Sequence, residues 1–131
     1  MSNDYETRAL TYGFAREDEL KQAMGNENTV VVDVRSEEEI EATGKWGTYR
    51  KWLQTPCTPD ECALLSMNSD EILPDKEVPI IVYCKSGRRA SRAKQILQDK
   101  GYKYVLNAGG LDDLQNMQFW RHYGGMQSLI S

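Results

Sequence analysis

The stretch that most limits how this chain can fold runs from Val78 to Leu97. Its first part, Val78-Pro79-Ile80-Ile81-Val82-Tyr83, is a short β-branched apolar run entered through a proline. A strand buried on both faces, as in the centre of a parallel sheet, has that composition. From Cys84 the pattern changes. Lys85-Ser86-Gly87 is too polar and too flexible to continue a strand. Beyond it Ala93, Ile96 and Leu97 recur at helical spacing, with Gly101 as the stop. The segment therefore reads as strand, tight loop and helix, with a cysteine at the head of the loop.

A strand of this kind needs parallel neighbours, and the rest of the chain supplies candidates. Residues 29–34 are almost continuously valine and read as a second buried strand. Asp33-Val34-Arg35 ends it, and Ser36 and Glu39 then stand at capping-box spacing before a short helix that should stop near Gly44. Residues 16–24 read as a helix, acidic at Glu17, Asp18 and Glu19, with Gly25 past its end. Before it, Leu10, Tyr12 and Phe14 alternate and predict a short first strand. Tyr104-Val105-Leu106 reads as a last strand, and Asn107-Ala108-Gly109-Gly110 as a turn in which backbones approach closely. Leu111, Leu114, Met117, Phe119 and Trp120 mark a final amphipathic helix. Strand, helix, strand in this order predicts an α/β domain: a parallel sheet of about five strands flanked by helices on both faces.

Residues 44–77 break this rhythm. Trp46, Tyr49, Arg50 and Trp52 make a basic, aromatic excursion without periodicity. Thr58-Pro59-Asp60-Glu61 has the signature of a helix start, predicting about two turns that carry Cys62, Leu64 and Leu65.

With 131 residues, 40% of them hydrophobic and 27% charged, the chain is sized for one domain, 1–131, with its core over about 8–122. A net charge of −4 argues against nucleic-acid binding. No apolar run is long enough to span a membrane, and residues 1–6 lack a signal-peptide core. Three cysteines without a secretion signal predict a reducing, cytoplasmic setting, or an organelle if a targeting segment has been removed. Cys57 and Cys62 are read as ordinary, partly buried thiols. A metal site lacks ligands there, because the single histidine, His122, is far along the chain and is read as a surface residue.

Three of these motifs, taken together, resemble the single-domain rhodaneses, a family of sulfurtransferases. They are Val31-Val32-Asp33-Val34-Arg35 with its acidic helix, Leu73-Pro74-Asp75-Lys76 through Cys84-Lys85-Ser86-Gly87-Arg88-Arg89-Ala90-Ser91, and Asn107-Ala108-Gly109-Gly110-Leu111. They occur in family order at family spacing across most of residues 8–120. Two features depart from the pattern. The His-Ile-Pro-Gly-Ala type segment expected after the acidic helix is replaced by Gly44-Lys45-Trp46-Gly47-Thr48, so about 44–72 is a divergent insertion. The tryptophan often found after the glycine pair is absent.

The resemblance implies a rhodanese-like fold and a double displacement at Cys84. The thiolate takes the outer sulfur of thiosulfate or another sulfane donor, and the resulting persulfide passes it to a thiophilic acceptor such as cyanide or a thiol. The residues themselves suit a thiolate. Loop amides leading into a helix N-terminus cradle negative charge, and Lys85, Arg88, Arg89, Arg92 and Lys94 form a basic island in an acidic protein. Lys85, Ser86, Gly87, Arg88 and Arg89 are the candidate substrate-binding loop. Asp33 and Arg35, at the carboxyl end of a neighbouring strand, are expected to support the site or to be a structural ion pair. No cofactor and no metal are called for, and the domain is expected to act as a monomer on a small anionic donor, an acceptor and, in one reading, a protein sulfur acceptor.

Two other functions compete. Phosphatases and arsenate reductases on a similar fold place an arginine six positions after the cysteine. Here that position is Ala90, which favours sulfur over phosphate. A sulfur-carrier or regulatory module would instead use the aromatic, basic stretch 44–56 to dock a partner.

Overall fold

The computed structural model describes residues 2–45, 51–58 and 60–117. Ten elements follow in order: α1 (Ser2–Tyr12), α2 (Glu17–Met24), β1 (Val30–Asp33), α3 (Glu37–Thr43), β2 (Trp52–Gln54), α4 (Ala63–Ile72), β3 (Ile80–Cys84), α5 (Arg88–Asp99), β4 (Val105–Gly110) and α6 (Leu111–Gln115). The four strands form one parallel sheet in the order β2-β1-β3-β4.

The valine and isoleucine runs form the two central strands because every side chain on them finds an apolar layer. Successive residues of a strand point to opposite faces. Val31, Ile81 and Tyr83 pack on one side with Leu20, Ala23 and Met24 of α2 and Leu111 and Leu114 of α6. Val32, Val34, Ile80, Val82 and Cys84 pack on the other with Leu65 of α4 and Ala90, Ala93 and Leu97 of α5. The sheet is thus covered on both faces. Since β1 and β3 pair in parallel with Asp33 opposite Tyr83, their carboxyl ends meet at one edge, and the cysteine at the end of β3 lies there.

Several local expectations are met in detail. Ser36 accepts from the Glu39 amide while the Glu39 carboxylate accepts from the Ser36 amide, and α3 ends at Gly44 with φ +76°. The described part of the segment 44–72 supplies two regular elements, edge strand β2 and helix α4.

Four expectations are corrected. The alternating residues Leu10, Tyr12 and Phe14 form no strand. Residues 2–12 are helical, with Leu10 87% exposed, and only Phe14 makes an isolated parallel bridge, to Asn107. Among the described residues the sheet consequently has four strands rather than about five.

Cys57 and Cys62 are a disulfide rather than free thiols. Their Cα atoms are 4.3 Å apart, whereas five residues of α-helix would advance about 7.5 Å. The predicted helix therefore cannot begin at Thr58. Its hydroxyl caps a turn by accepting from the Asp60 and Glu61 amides, and α4 starts at Ala63.

The final helix is short within the described residues. Leu111, Leu114 and Met117 are buried, while Phe119, Trp120 and His122, like Trp46, Tyr49, Arg50 and Pro59, lie outside the described residues. No helix among the described residues is long and apolar enough to cross a membrane.

Candidate active site

Cys84 is the last residue of β3, fully buried, and a free thiol. Three residues, Lys85 to Gly87, separate it from the first turn of α5, so the chain must reverse tightly around the sulfur. Gly87 makes this possible. Its φ is +94°, and its N–H donates to Cys84 Sγ at 3.0 Å. A Cβ here would lie 2.2 Å from the Phe14 ring, so the close packing of Phe14 against the loop also demands glycine.

The glycine pair Gly109–Gly110, expected as part of a turn, instead forms the end of β4 and closes the loop from the other side. A Cβ on Gly110 would sit 2.0 Å from the Lys85 carbonyl oxygen. Asn107, fully buried, ties these parts together. Its side-chain amide donates to the carbonyls of Tyr12 and Gly87, and its side-chain oxygen accepts from the Gly109 amide.

The basic residues of the loop divide into three settings. Lys85 is exposed and lines a small cleft of about 200 Å³ with Arg35, Glu39, Thr43, Leu111 and Asp112. Arg88 is exposed and lines a separate groove with Tyr12, Asp60 and Arg92. Arg89 is committed. Both of its terminal nitrogens donate to the Glu39 carboxylate, at 2.6 and 2.7 Å. These bonds hold the Glu39 carboxyl down to about 2 and raise the Arg89 pKa above its ordinary value. The Arg89–Glu39 pair ties the first turn of α5 to α3. Ser86 is half-buried, and its carbonyl oxygen accepts from Arg8 at 3.0 Å.

Asp33 and Arg35 form a buried pair with three side-chain bonds of 2.7 to 3.2 Å, and Asp33 also accepts from the Arg35 amide at 3.0 Å. Arg35 further donates to Thr43 Oγ1 and to the Gly44 carbonyl. It thereby fixes the end of α3 against β1 and forms a wall of the Lys85 cleft. The pair is internally satisfied.

Reading the sequence alone missed Arg8, Phe14, Glu39, Asn107 and Asp113. Asp113 left a local trace, since it stands three residues after Gly110 and accepts that residue's amide at 2.8 Å. Glu39 and Asn107 also stood in local motifs, but the contacts of Arg8, Glu39 and Asn107 with the loop span long separations that no spacing rule reveals. Among the described residues, no group of three or more His, Cys, Asp or Glu side chains is placed to hold a metal ion.

Comparison with known proteins agrees with this geometry. The family model of the rhodanese-like domain matches residues 17–117. Thiosulfate sulfurtransferase PspE of Escherichia coli (strain K12) is 50% identical over 42 residues, 32% of this chain and 40% of that protein. The putative mitochondrial thiosulfate sulfurtransferase of Schizosaccharomyces pombe is 32% identical over 97 residues, 69% of this chain and 65% of that protein. The chain thus spans 40% and 65% of the length of these two curated relatives. Among solved structures, the polysulfide-sulfur transferase homodimer from Wolinella succinogenes superposes with a TM-score of 0.60 at 26% identity. That match covers 78% of this chain and 71% of the other.

Proposed function

The chain belongs to the rhodanese-like domain family, and on that premise we propose that it is a sulfurtransferase with Cys84 as its nucleophile. The observation that carries the proposal is the buried free thiol of Cys84 receiving the Gly87 N–H at 3.0 Å inside a three-residue loop. A donated hydrogen bond favours a negatively charged sulfur, whether thiolate or terminal persulfide.

In the first half-reaction the Cys84 thiolate attacks the outer sulfur of thiosulfate. A Cys84 S–S bond forms, the sulfur–sulfur bond of the donor breaks, and sulfite leaves with the electron pair. In the second, cyanide or a thiolate attacks the terminal sulfur of the persulfide. That sulfur departs with the acceptor, and the Cys84 thiolate returns. Lys85, Ser86 and the loop amides would meet the donor at the cleft, with Arg88 adding positive charge nearby. Arg89 and Arg35 would shape the site through their carboxylate partners instead of clamping the anion.

The short loop disfavours oxyanion chemistry. The sixth position after the cysteine is Ala90, which is buried, and Arg89 is held by Glu39. The carrier reading is weakened at Trp52, which is built into β2 and donates to the Tyr83 hydroxyl at 3.0 Å instead of offering a docking face. A protein thiol nonetheless remains within the acceptor class. The cytoplasmic expectation rested on reduced thiols, and a persistent Cys57–Cys62 disulfide fits an oxidising compartment better. We take the domain to act as a monomer, which sedimentation would check.

Steady-state turnover tests the proposal. Thiocyanate formation from thiosulfate and cyanide should be measurable and lost in Cys84→Ser, with no hydrolysis of a phosphate ester. Ester hydrolysis that depends on Cys84, without thiocyanate formation, would overturn it.

A further inference from the structure

Arg8 lies on α1, before the family match begins at residue 17, yet it touches the loop around the nucleophile. Its Nη1 donates to the Ser86 carbonyl oxygen at 3.0 Å and to Asp113 Oδ2 at 2.7 Å. Its Nη2 donates to Asp113 Oδ1 at 2.9 Å, and its Nε to Asp4 Oδ2 at 2.9 Å. The Asp113 contact is largely buried, with side-chain exposures of 20% and 10%, so it is not a loose surface pair.

The carbonyl that Arg8 grips and the amide that reaches the sulfur belong to one peptide unit, Ser86–Gly87. No peptide bond among the described residues is cis, so the C=O and N–H of this unit point in opposite directions. Pulling the Ser86 oxygen outward toward Arg8 therefore aims the Gly87 N–H inward at Cys84 Sγ. The same guanidinium fixes Asp113, whose Oδ2 accepts the Gly110 amide, and Gly110 backs the Lys85 carbonyl. Gly87 at φ +94° has no side chain of its own to lock this orientation.

We propose that Arg8 is a positioning residue for sulfur transfer. It holds the Ser86–Gly87 peptide in the orientation that keeps the Gly87 N–H on the Cys84 sulfur, so that the N-terminal helix is a working part of the site. Two carboxylates largely neutralise its charge, so orientation and not added positive potential is its contribution. The inference rests on reading Cys84 as the nucleophile.

The test compares wild type with Arg8→Met, Arg8→Lys and Asp4→Asn, all confirmed as folded by circular dichroism. Cys84 alkylation by iodoacetamide at neutral pH is followed by mass, alongside thiosulfate:cyanide turnover. Without Arg8 the alkylation rate should fall about ten-fold, the lower end of the worth of one hydrogen bond to a charged group. The kcat should fall similarly while the KM for thiosulfate changes little. Arg8→Lys, which keeps one donor for the carbonyl, should recover part of the loss. Asp4→Asn, which leaves the Ser86 contact intact, should stay near wild type. An alkylation rate in Arg8→Met equal to or above wild type would overturn the positioning role, even if its melting temperature fell. A wild-type Cys84 inert to both iodoacetamide and thiosulfate would instead sink the reading of Cys84 as nucleophile.

Discussion

Arg89 and Glu39, fifty residues apart in the chain, meet in a two-pronged ion pair at 2.6 and 2.7 Å. The pair joins the first turn of α5, directly after the cysteine loop, to α3 at the end of β1. It gives Arg89, two positions past the loop glycine, a fixed partner within the fold.

This pair gives acid sensitivity with a definite sign. The Glu39 carboxyl is lowered from 4.5 to about 2, first by the Arg89 hydrogen bonds. Because its folded value lies below its unfolded one, its stabilising effect is complete above about pH 4.5 and disappears as pH falls through about 2. Glu39→Gln should cost about 1 kcal/mol at neutral pH, allowing for partial solvent exposure. Urea midpoints at about pH 6 and about pH 2.5 should show the wild-type advantage shrinking in acid. An advantage independent of pH would contradict this assignment.

Gly87 and Gly44 make a matched comparison. Both have positive φ, +94° and +76°, but a Cβ at Gly87 would strike Phe14 whereas one at Gly44 meets nothing within 4 Å. Gly44→Ala should cost backbone strain alone, about 2 kcal/mol, because φ +76° with ψ 173° is a region nearly reserved for glycine. Gly87→Ala should cost more than about 3 kcal/mol, since the ring must move in addition to the left-handed backbone strain. Equal losses in denaturant melts would mean that the Phe14 contact does not limit the loop.

The Asp33–Arg35 pair should behave as a buried, self-satisfied unit. Removing one partner strands a charge in the core, so Arg35→Met should lose about 3 kcal/mol or more. The double variant Asp33→Val, Arg35→Met should be less damaged than Arg35→Met alone. A double variant as unstable as the sum of two singles would show that the two residues act independently.

Reduction provides a further check. The Cys57–Cys62 link closes a short loop packed beside β1, where the Cys57 amide donates to the Val34 carbonyl at 3.0 Å. Closing so short a loop is worth about 2 kcal/mol. Cys57→Ser, Cys62→Ser should lower the urea midpoint accordingly, and added reductant should then have no further effect. Unchanged stability would mean the two thiols are not joined in solution.

How much of this was legible beforehand depended on the range of each interaction. The apolar runs 29–34 and 78–83 declared themselves because a doubly covered strand leaves no room for polar residues. Ser36 and Glu39 declared the start of α3 because a cap is local. Cys84 and Gly87 were readable from the same short stretch. Leu10, Tyr12 and Phe14 misled, since three alternating apolar residues fit a strand, whereas Tyr5 and Phe14 pack as an aromatic pair, their ring centroids 5.7 Å apart, at the end of a helix. Arg89 gave no sign of its Glu39 partner, which is fifty residues away. Arg8 gave no signal at all, since Asp113 lies 105 residues beyond it. Cys57 and Cys62 could not be paired from spacing, because pairing depends on whether the backbone turns back between them.

The central claim is that Cys84 carries the transferred sulfur, and intact mass after incubation with thiosulfate tests it most directly. Wild type should gain the mass of one sulfur atom, and cyanide should remove it. The Cys57→Ser, Cys62→Ser variant should gain the same mass, and Cys84→Ser should gain none. A sulfur adduct that survives in Cys84→Ser would contradict the account.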